Sequence, residues 1–169
     1  MKIPVDIVYF VPKYTQEGDC TEVFFLSGEK KIYKCSIKTF IKNLYSIYAI
    51  DVVALRKIMQ SKIGQKNLLP IVLPDATFIP YKVRIPLLKC DPTSGYVNLS
   101  QVYKINSDEE GFKILLKCGC EIKSIGTERY FRKRLLVGTI LTDYFQGIWQ
   151  KGICTVKEES ELENLFKLM

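Results

Sequence analysis

Prolines at positions 70, 74, 80 and 86 punctuate a single stretch of this chain. It reads Leu69-Pro70-Ile71-Val72-Leu73-Pro74, then Phe78-Ile79-Pro80, then Tyr81 to Leu88. Proline has no N–H to give to a ladder, so this spacing forbids a long central strand. It predicts short edge strands or an extended crossing segment.

The elements around that stretch follow from pattern. Ile3 to Val11 is apolar, with Pro4 at its start, and reads as a strand. Glu22 to Leu26 and Lys31 to Cys35 flank Ser27-Gly28-Glu29-Lys30, a turn signal, and predict a hairpin. Ser36 is placed to cap a short helix, with Ile37, Phe40, Ile41 and Leu44 on one face. Asp51 caps a second helix, with Val52, Leu55, Met59 and Ile63 on one face and Gly64 closing it. Gly95 to Ile105 predicts a strand, Ser107 to Gly111 an acidic turn, and Phe112 to Cys118 with Glu121 to Ile125 a second hairpin. Thr127 opens a long helix expected to end near Gly147, with Trp149 pinning the C-terminal segment to the body, and Glu158 to Met169 reads as a last helix. Strands, helix, insert, strands, helix is an α+β order with a mostly antiparallel sheet. The expected organisation is one domain over residues 1–157, with a short central helix, a helix-containing insert at 45–83 and a long C-terminal helix. The acidic stretch 158–169 forms a separate helix.

Composition narrows the function. A chain of 169 residues, 47% hydrophobic and 12% aromatic, can bury a core and is unlike a disordered segment. No run approaches the roughly 20 apolar residues of a membrane span, so no membrane partner is expected. Asp6 comes too early for the apolar core of a signal peptide, which makes a cytoplasmic location the expectation. The chain has no histidine, which removes Ser-His-Asp and Cys-His catalysis and every His-containing metal site. None of Cys20, Cys35, Cys90, Cys118, Cys120 and Cys154 forms a C-x-x-C pair, and Cys118-Gly119-Cys120 is too tight for a zinc knuckle. The cysteines read as small hydrophobes in strands. No glycine-rich phosphate loop is present, Asp108-Glu109-Glu110 reads as a turn, and Asp91 is a lone carboxylate beside Cys90. The expectation is a non-enzymatic protein without cofactor or metal.

The net charge of +7 and an acidic Glu158–Met169 leave the body strongly basic, which favours a polyanionic partner. The sharpest motif is Gly126-Thr127-Glu128-Arg129-Tyr130-Phe131-Arg132-Lys133-Arg134. Arg129, Arg132 and Lys133 share a helix face, while Phe131, Leu135, Leu141 and Phe145 point toward a core. Cations in a first helical turn oppose the helix dipole, and an external anion would offset that cost. Lys82 and Arg84 lie two apart on a predicted strand and could extend a phosphate surface with Lys62, Lys66 and Lys104. Tyr14, Tyr45, Tyr48 and Tyr130 are candidates for base stacking.

Ser94, Val97 and Asn98 in one strand, followed by Thr127, Arg129, Phe131, Arg132 and Lys133 after a hairpin, resemble the LytTR family of bacterial DNA-binding domains. The resemblance covers residues 3–44 and 84–146. It implies a LytTR-like fold in which strands and loops enter successive DNA grooves. It implies base contact by Arg129 and phosphate contact by Arg132 and Lys133, with Arg134 in the same run. The loop at Thr93 and Ser94 and the segment Lys13-Tyr14-Thr15-Gln16, read as a loop, take the other contacts. Cys90 and Pro92 stand where that family has arginine and histidine. Lys66 to Pro74, then Phe78-Ile79-Pro80 and Gly95-Tyr96-Val97, with Arg56 upstream, resemble the ComK-type competence transcription factors. That resemblance implies a cytoplasmic activator that binds AT-rich double-stranded DNA as an oligomer. It also implies control by a regulatory protein acting on a terminal segment, for which the acidic tail is the candidate. Apolar edge strands in the insert would suit a homodimer. The alternative from the residues is a protein-interaction module that uses the tail and the proline-rich insert without specific DNA binding.

Overall fold

The computed structural model describes residues 4–16, 18–64, 67–87, 89 and 91–167, with side chains described as far as residue 151. It is α+β, and every strand pairing among the described residues is antiparallel. A 3-10 turn over Pro4–Asp6 comes first, so β1 begins later than expected and spans Ile7–Thr15. It turns back into β2 (Gly18–Phe25), which pairs with β3 (Lys30–Tyr33). Lys13, Tyr14 and Thr15 are therefore strand residues, not the loop expected there: Thr15 is opposite Gly18 at the ladder's last rung. Gly18 has φ +111°, which lets the chain reverse so late.

The two predicted helices are present with their caps. Ser36 accepts from the Thr39 N–H at the start of α1 (Ile37–Ile47), which buries Ile37, Phe40, Leu44 and Tyr45. Asp51 accepts from Val53 and Ala54 N–H at the start of α2 (Val52–Ile63), and Gly64 closes it at φ +65°. The stretch 45–83 then supplies β4 (Ile71–Val72) and β5 (Thr77–Lys82), which add to the same sheet beside β6 (Ser94–Asn98). The sheet order is β3-β2-β1-β6-β5-β4.

The expected single strand from Gly95 to Ile105 is two strands. Buried Asn98 donates to the Ile7 carbonyl (3.0 Å), which ties β6 to the start of β1. Its Oδ1 accepts from the Ser100 N–H and hydroxyl and caps a 3-10 turn over Leu99–Gln101. That turn redirects the chain into a second sheet of β7 (Val102–Asp108), β8 (Gly111–Leu116) and β9 (Glu121–Ser124).

α3 runs without interruption over Glu128–Lys167, instead of stopping near Gly147 with a separate helix beyond. Glycine inside a helix costs about 1 kcal/mol. Here Phe145 and Trp149, one turn apart, stack at 5.7 Å across Gly147 and pack on the same core, which offsets that cost. The acidic stretch from Glu158 continues this helix. Its side chains and that of Cys154 lie outside the described part of the structure, as do Lys66, Leu88, Cys90, Leu168 and Met169.

Two cores result. One lies between one face of the six-stranded sheet and the helices, with Phe10, Phe25, Phe40, Phe78, Met59 and Phe145. The other lies between the opposite face and the small sheet, with Phe24, Ile79, Tyr81, Phe112, Ile114 and Phe131. α3 contributes Phe131 to the second core and Leu141 and Phe145 to the first. It can do so because it runs along the β4–β5 edge. Thr142 bonds to Thr77 (2.7 Å), and Arg134 Nη1 donates to the Pro80 carbonyl (3.2 Å). Gly138 lies against β5 so closely that a Cβ there would sit 2.2 Å from Ile79 Cδ1. The proline pattern now has a physical account. β4 pairs only with Thr77 and Phe78, so Pro80 falls beyond its end. No ladder donor is lost there, and the helix covers the open edge.

Candidate nucleic-acid interface

The motif at residues 126–134 folds as the β9–α3 loop and the first turns of α3. Ser124 and Ile125 bond to the Lys82 carbonyl (2.9 and 3.0 Å), which fastens the loop to the end of β5. Phe131 N–H donates to the Thr127 carbonyl (3.2 Å), so the helix begins directly after Thr127. Phe131 is buried and packs on Phe112 at 5.0 Å, which fixes which face of the first turn looks outward. A cleft of about 250 Å³ opens at this helix start, lined by Lys82, Ser124, Gly126, Thr127, Tyr130 and Arg134 over a floor of Tyr81 and Phe112. Tyr130 is 65% exposed.

The nine residues singled out by sequence divide into two sets. Arg129, Lys133 and Lys82 are exposed, and none of their side chains has a hydrogen bond or ion pair among the described residues. Arg129 and Lys133 are one turn apart on α3, and the Lys82 Cβ stands 3.3 Å from where a Cβ on Gly126 would be. Arg129, Lys133 and Lys82 therefore gather around the helix start, where unpaired amide groups and the dipole favour an anion.

The other six residues have work inside the fold. Arg132 pairs with Glu128 at 2.7 Å, one turn back. Glu128 also accepts from Ser107 (2.6 Å); that bond first, and Arg132 second, hold its carboxyl below the usual value. Arg134 is half-buried, and burial lowers its guanidinium from its ordinary value. Arg84 donates through Nε to the Pro92 carbonyl (2.8 Å), pairs with Asp19 (3.0 Å) and lies 3.7 Å over the Tyr14 ring. It is a clip between the β1–β2 hairpin and the segment that leads into β6. Lys13 pairs with Glu22 across the β1–β2 ladder. Ser94 is buried opposite Lys82 on β6, and the Thr93 carbonyl accepts from the Val83 and Arg84 N–H groups.

The wider candidates separate in the same way. Asp91 accepts from the Tyr14 hydroxyl and the Leu87 N–H, a structural role. Tyr45 is buried and Tyr48 bonds to Asp75, which leaves Tyr130 as the exposed aromatic at the helix start. Lys62 stands over the Tyr144 ring, about 20 Å further along α3.

No family model, no curated protein and no solved structure matches the chain.

Among the described residues no cluster of His, Cys, Asp and Glu could hold a metal, and no helix is long and apolar enough to cross a membrane. Sequence reasoning passed over Glu128 as the partner of Arg132, although the i,i+4 spacing was visible. It also passed over Ser124, whose part is legible only once the loop is seen against β5.

Proposed function

We propose that the protein is a sequence-specific double-stranded DNA-binding regulator of the LytTR-like, ComK type, and that it acts without enzymatic chemistry. The observation that carries this reading is the trio Arg129, Lys133 and Lys82. These cations are exposed and unpaired around one helix start, in a fold that pins Arg84, Arg132, Arg134 and Lys13 with its own partners. A fold that leaves cations unneutralised against a helix dipole gains stability when an anion arrives. In this reading Lys133 and Lys82 hold phosphates, Arg129 reaches a base edge and Tyr130 adds apolar contact. AT-rich sites, an oligomeric bound state, a cytoplasmic location and a regulatory partner at the acidic end of α3 belong to the same proposal.

The test is fluorescence anisotropy on AT-rich and GC-rich duplexes. Arg129→Ala should lower the preference between sites by about 1–3 kcal/mol, and Lys133→Ala should weaken all duplexes alike. Binding by wild type that neither substitution alters would overturn the assignment.

A second reading, a protein-interaction module, is favoured by another face of α3, where Leu136, Ile140 and Ile148 are 61%, 54% and 43% exposed. Loss of a partner protein on Leu136→Glu, with DNA affinity intact, would support it.

A further inference from the structure

Cys118 and Cys120 lie between strands, not in them, although Cys120 still packs against the second core. They occupy the tip of the β8–β9 hairpin, with Cys118 exposed and Cys120 half-buried. The Gly119 N–H donates to the Leu116 carbonyl and the Leu116 N–H to the Cys120 carbonyl, both at 2.9 Å. With Gly119 at φ +84°, this is a three-residue hairpin loop with a left-handed glycine at its third position. The loop sets Cys120 directly across from Leu116, so both side chains face the second core, while Cys118 stands in solvent. Consecutive Cα atoms are about 3.8 Å apart. Two such steps across a bent turn bring the Cys118 and Cys120 Cα atoms to the scale of the roughly 4.4–6.8 Å that a disulfide spans, and closure turns the Cys120 side chain from the core toward Cys118.

We propose that Cys118 and Cys120 form a reversible intramolecular disulfide by exchange with a low-molecular-weight disulfide of the glutathione class, with Cys118 attacking and Cys120 resolving. The division of roles follows from exposure: Cys118 is exposed and Cys120 half-buried, so Cys118 is the more open to an incoming molecule. The hydrogen bond with the Cys118 sulfur first, and burial second, raise the Cys120 thiol, which suits Cys120 to the second step. Lys117 adjoins Cys118 in the loop, and the Lys30 ammonium is close enough to Cys120 to favour its thiolate when that proton leaves. The Cys118 thiolate attacks one sulfur of glutathione disulfide; a protein–glutathione S–S bond forms and one glutathione thiolate leaves. Cys120 then loses its proton and attacks the Cys118 sulfur, and the second glutathione thiolate departs. Two protein thiols are oxidised and one glutathione disulfide is reduced to two thiols.

The chain allows a clean test, because cleavage after Lys117 and Lys123 releases Cys118-Gly119-Cys120-Glu121-Ile122-Lys123, which contains both cysteines and no others. The full-length protein is incubated with glutathione disulfide, quenched with acid, digested and weighed. The expected product is this peptide lighter by two hydrogens and restored by dithiothreitol. Cys120→Ala should trap glutathione on Cys118, and Cys118→Ser should slow reaction at this peptide at least about tenfold. A wild-type peptide that stops at the glutathione adduct, or that remains reduced, would overturn the proposal. Equal reactivity of the two single variants would overturn the assignment of attacking and resolving roles.

Discussion

Arg84→Ala removes three contacts that join segments far apart in the chain. The ion pair to Asp19 is 3.0 Å, between side chains only 14% and 26% exposed, and the bond to the Pro92 carbonyl is 2.8 Å. Hydrogen bonds made by a charged group contribute about 1.5–3 kcal/mol each. Partial exposure of Asp19 brings its share toward the lower end of that range. Truncation therefore costs about 3 kcal/mol, with the Tyr14 stacking lost in addition. For a domain of this size that lowers Tm by about 6–12 °C. Arg84→Lys should recover little of it, because an ammonium cannot reproduce the fork that reaches Asp19 and Pro92 together. Circular dichroism melts of wild type and both variants measure the shift, and anisotropy at a temperature where all are folded measures DNA affinity. A variant with unchanged Tm and weakened DNA binding would make Arg84 a phosphate contact instead of a clip.

Asn98→Ala leaves the buried Ile7 carbonyl without its partner and uncaps the turn at exposed Ser100, and urea titration should show a loss of about 1–3 kcal/mol. Gly138→Ala drives a methyl into the tip of buried Ile79 at the seam between α3 and β5; set against roughly 1 kcal/mol gained in helix propensity, the same titration should show a net loss of up to about 2 kcal/mol. Glu128 has a folded-state pKa held below its unfolded value by Ser107 and then Arg132. Its contribution is therefore complete above the unfolded pKa and is lost as pH falls through the folded one. Glu128→Gln should flatten the acid side of the stability–pH profile. It should also free Arg132 and strengthen DNA binding at low salt.

Local signals were legible where chemistry acts over a few residues. Ser36, Asp51 and Gly64 mark helix ends by bonds that reach no further than four positions. The spacing of Phe131, Leu141 and Phe145 announced a buried face, although not that it joins two cores. What could not be read was long-range. Arg84 meets Asp19 across 65 positions, and nothing near either residue announces it. Pro80 restricts a strand only on the side where a neighbour needs its N–H, and no pattern tells which side the helix will cover. Gly147 is a stop signal on local propensity, and it lost to packing of Phe145 and Trp149 on a shared core. The candidate site was legible as a charge cluster but not as a sorted one, because sorting free from pinned cations needs their partners.

On the proposed reading, Arg129 and Lys133 are free to hold DNA while Lys13 is committed to the fold. The direct test is the salt dependence of DNA affinity for wild type, for Arg129→Ala/Lys133→Ala and for Lys13→Met, titrated by anisotropy from about 50 to 200 mM salt. Each phosphate contact contributes about 0.9 to the slope of log affinity against log salt. The expected slope is shallower by about 1–2 in the double variant and unchanged in Lys13→Met. Equal slopes for wild type and the double variant, or no binding by wild type even at the lowest salt, would contradict that reading.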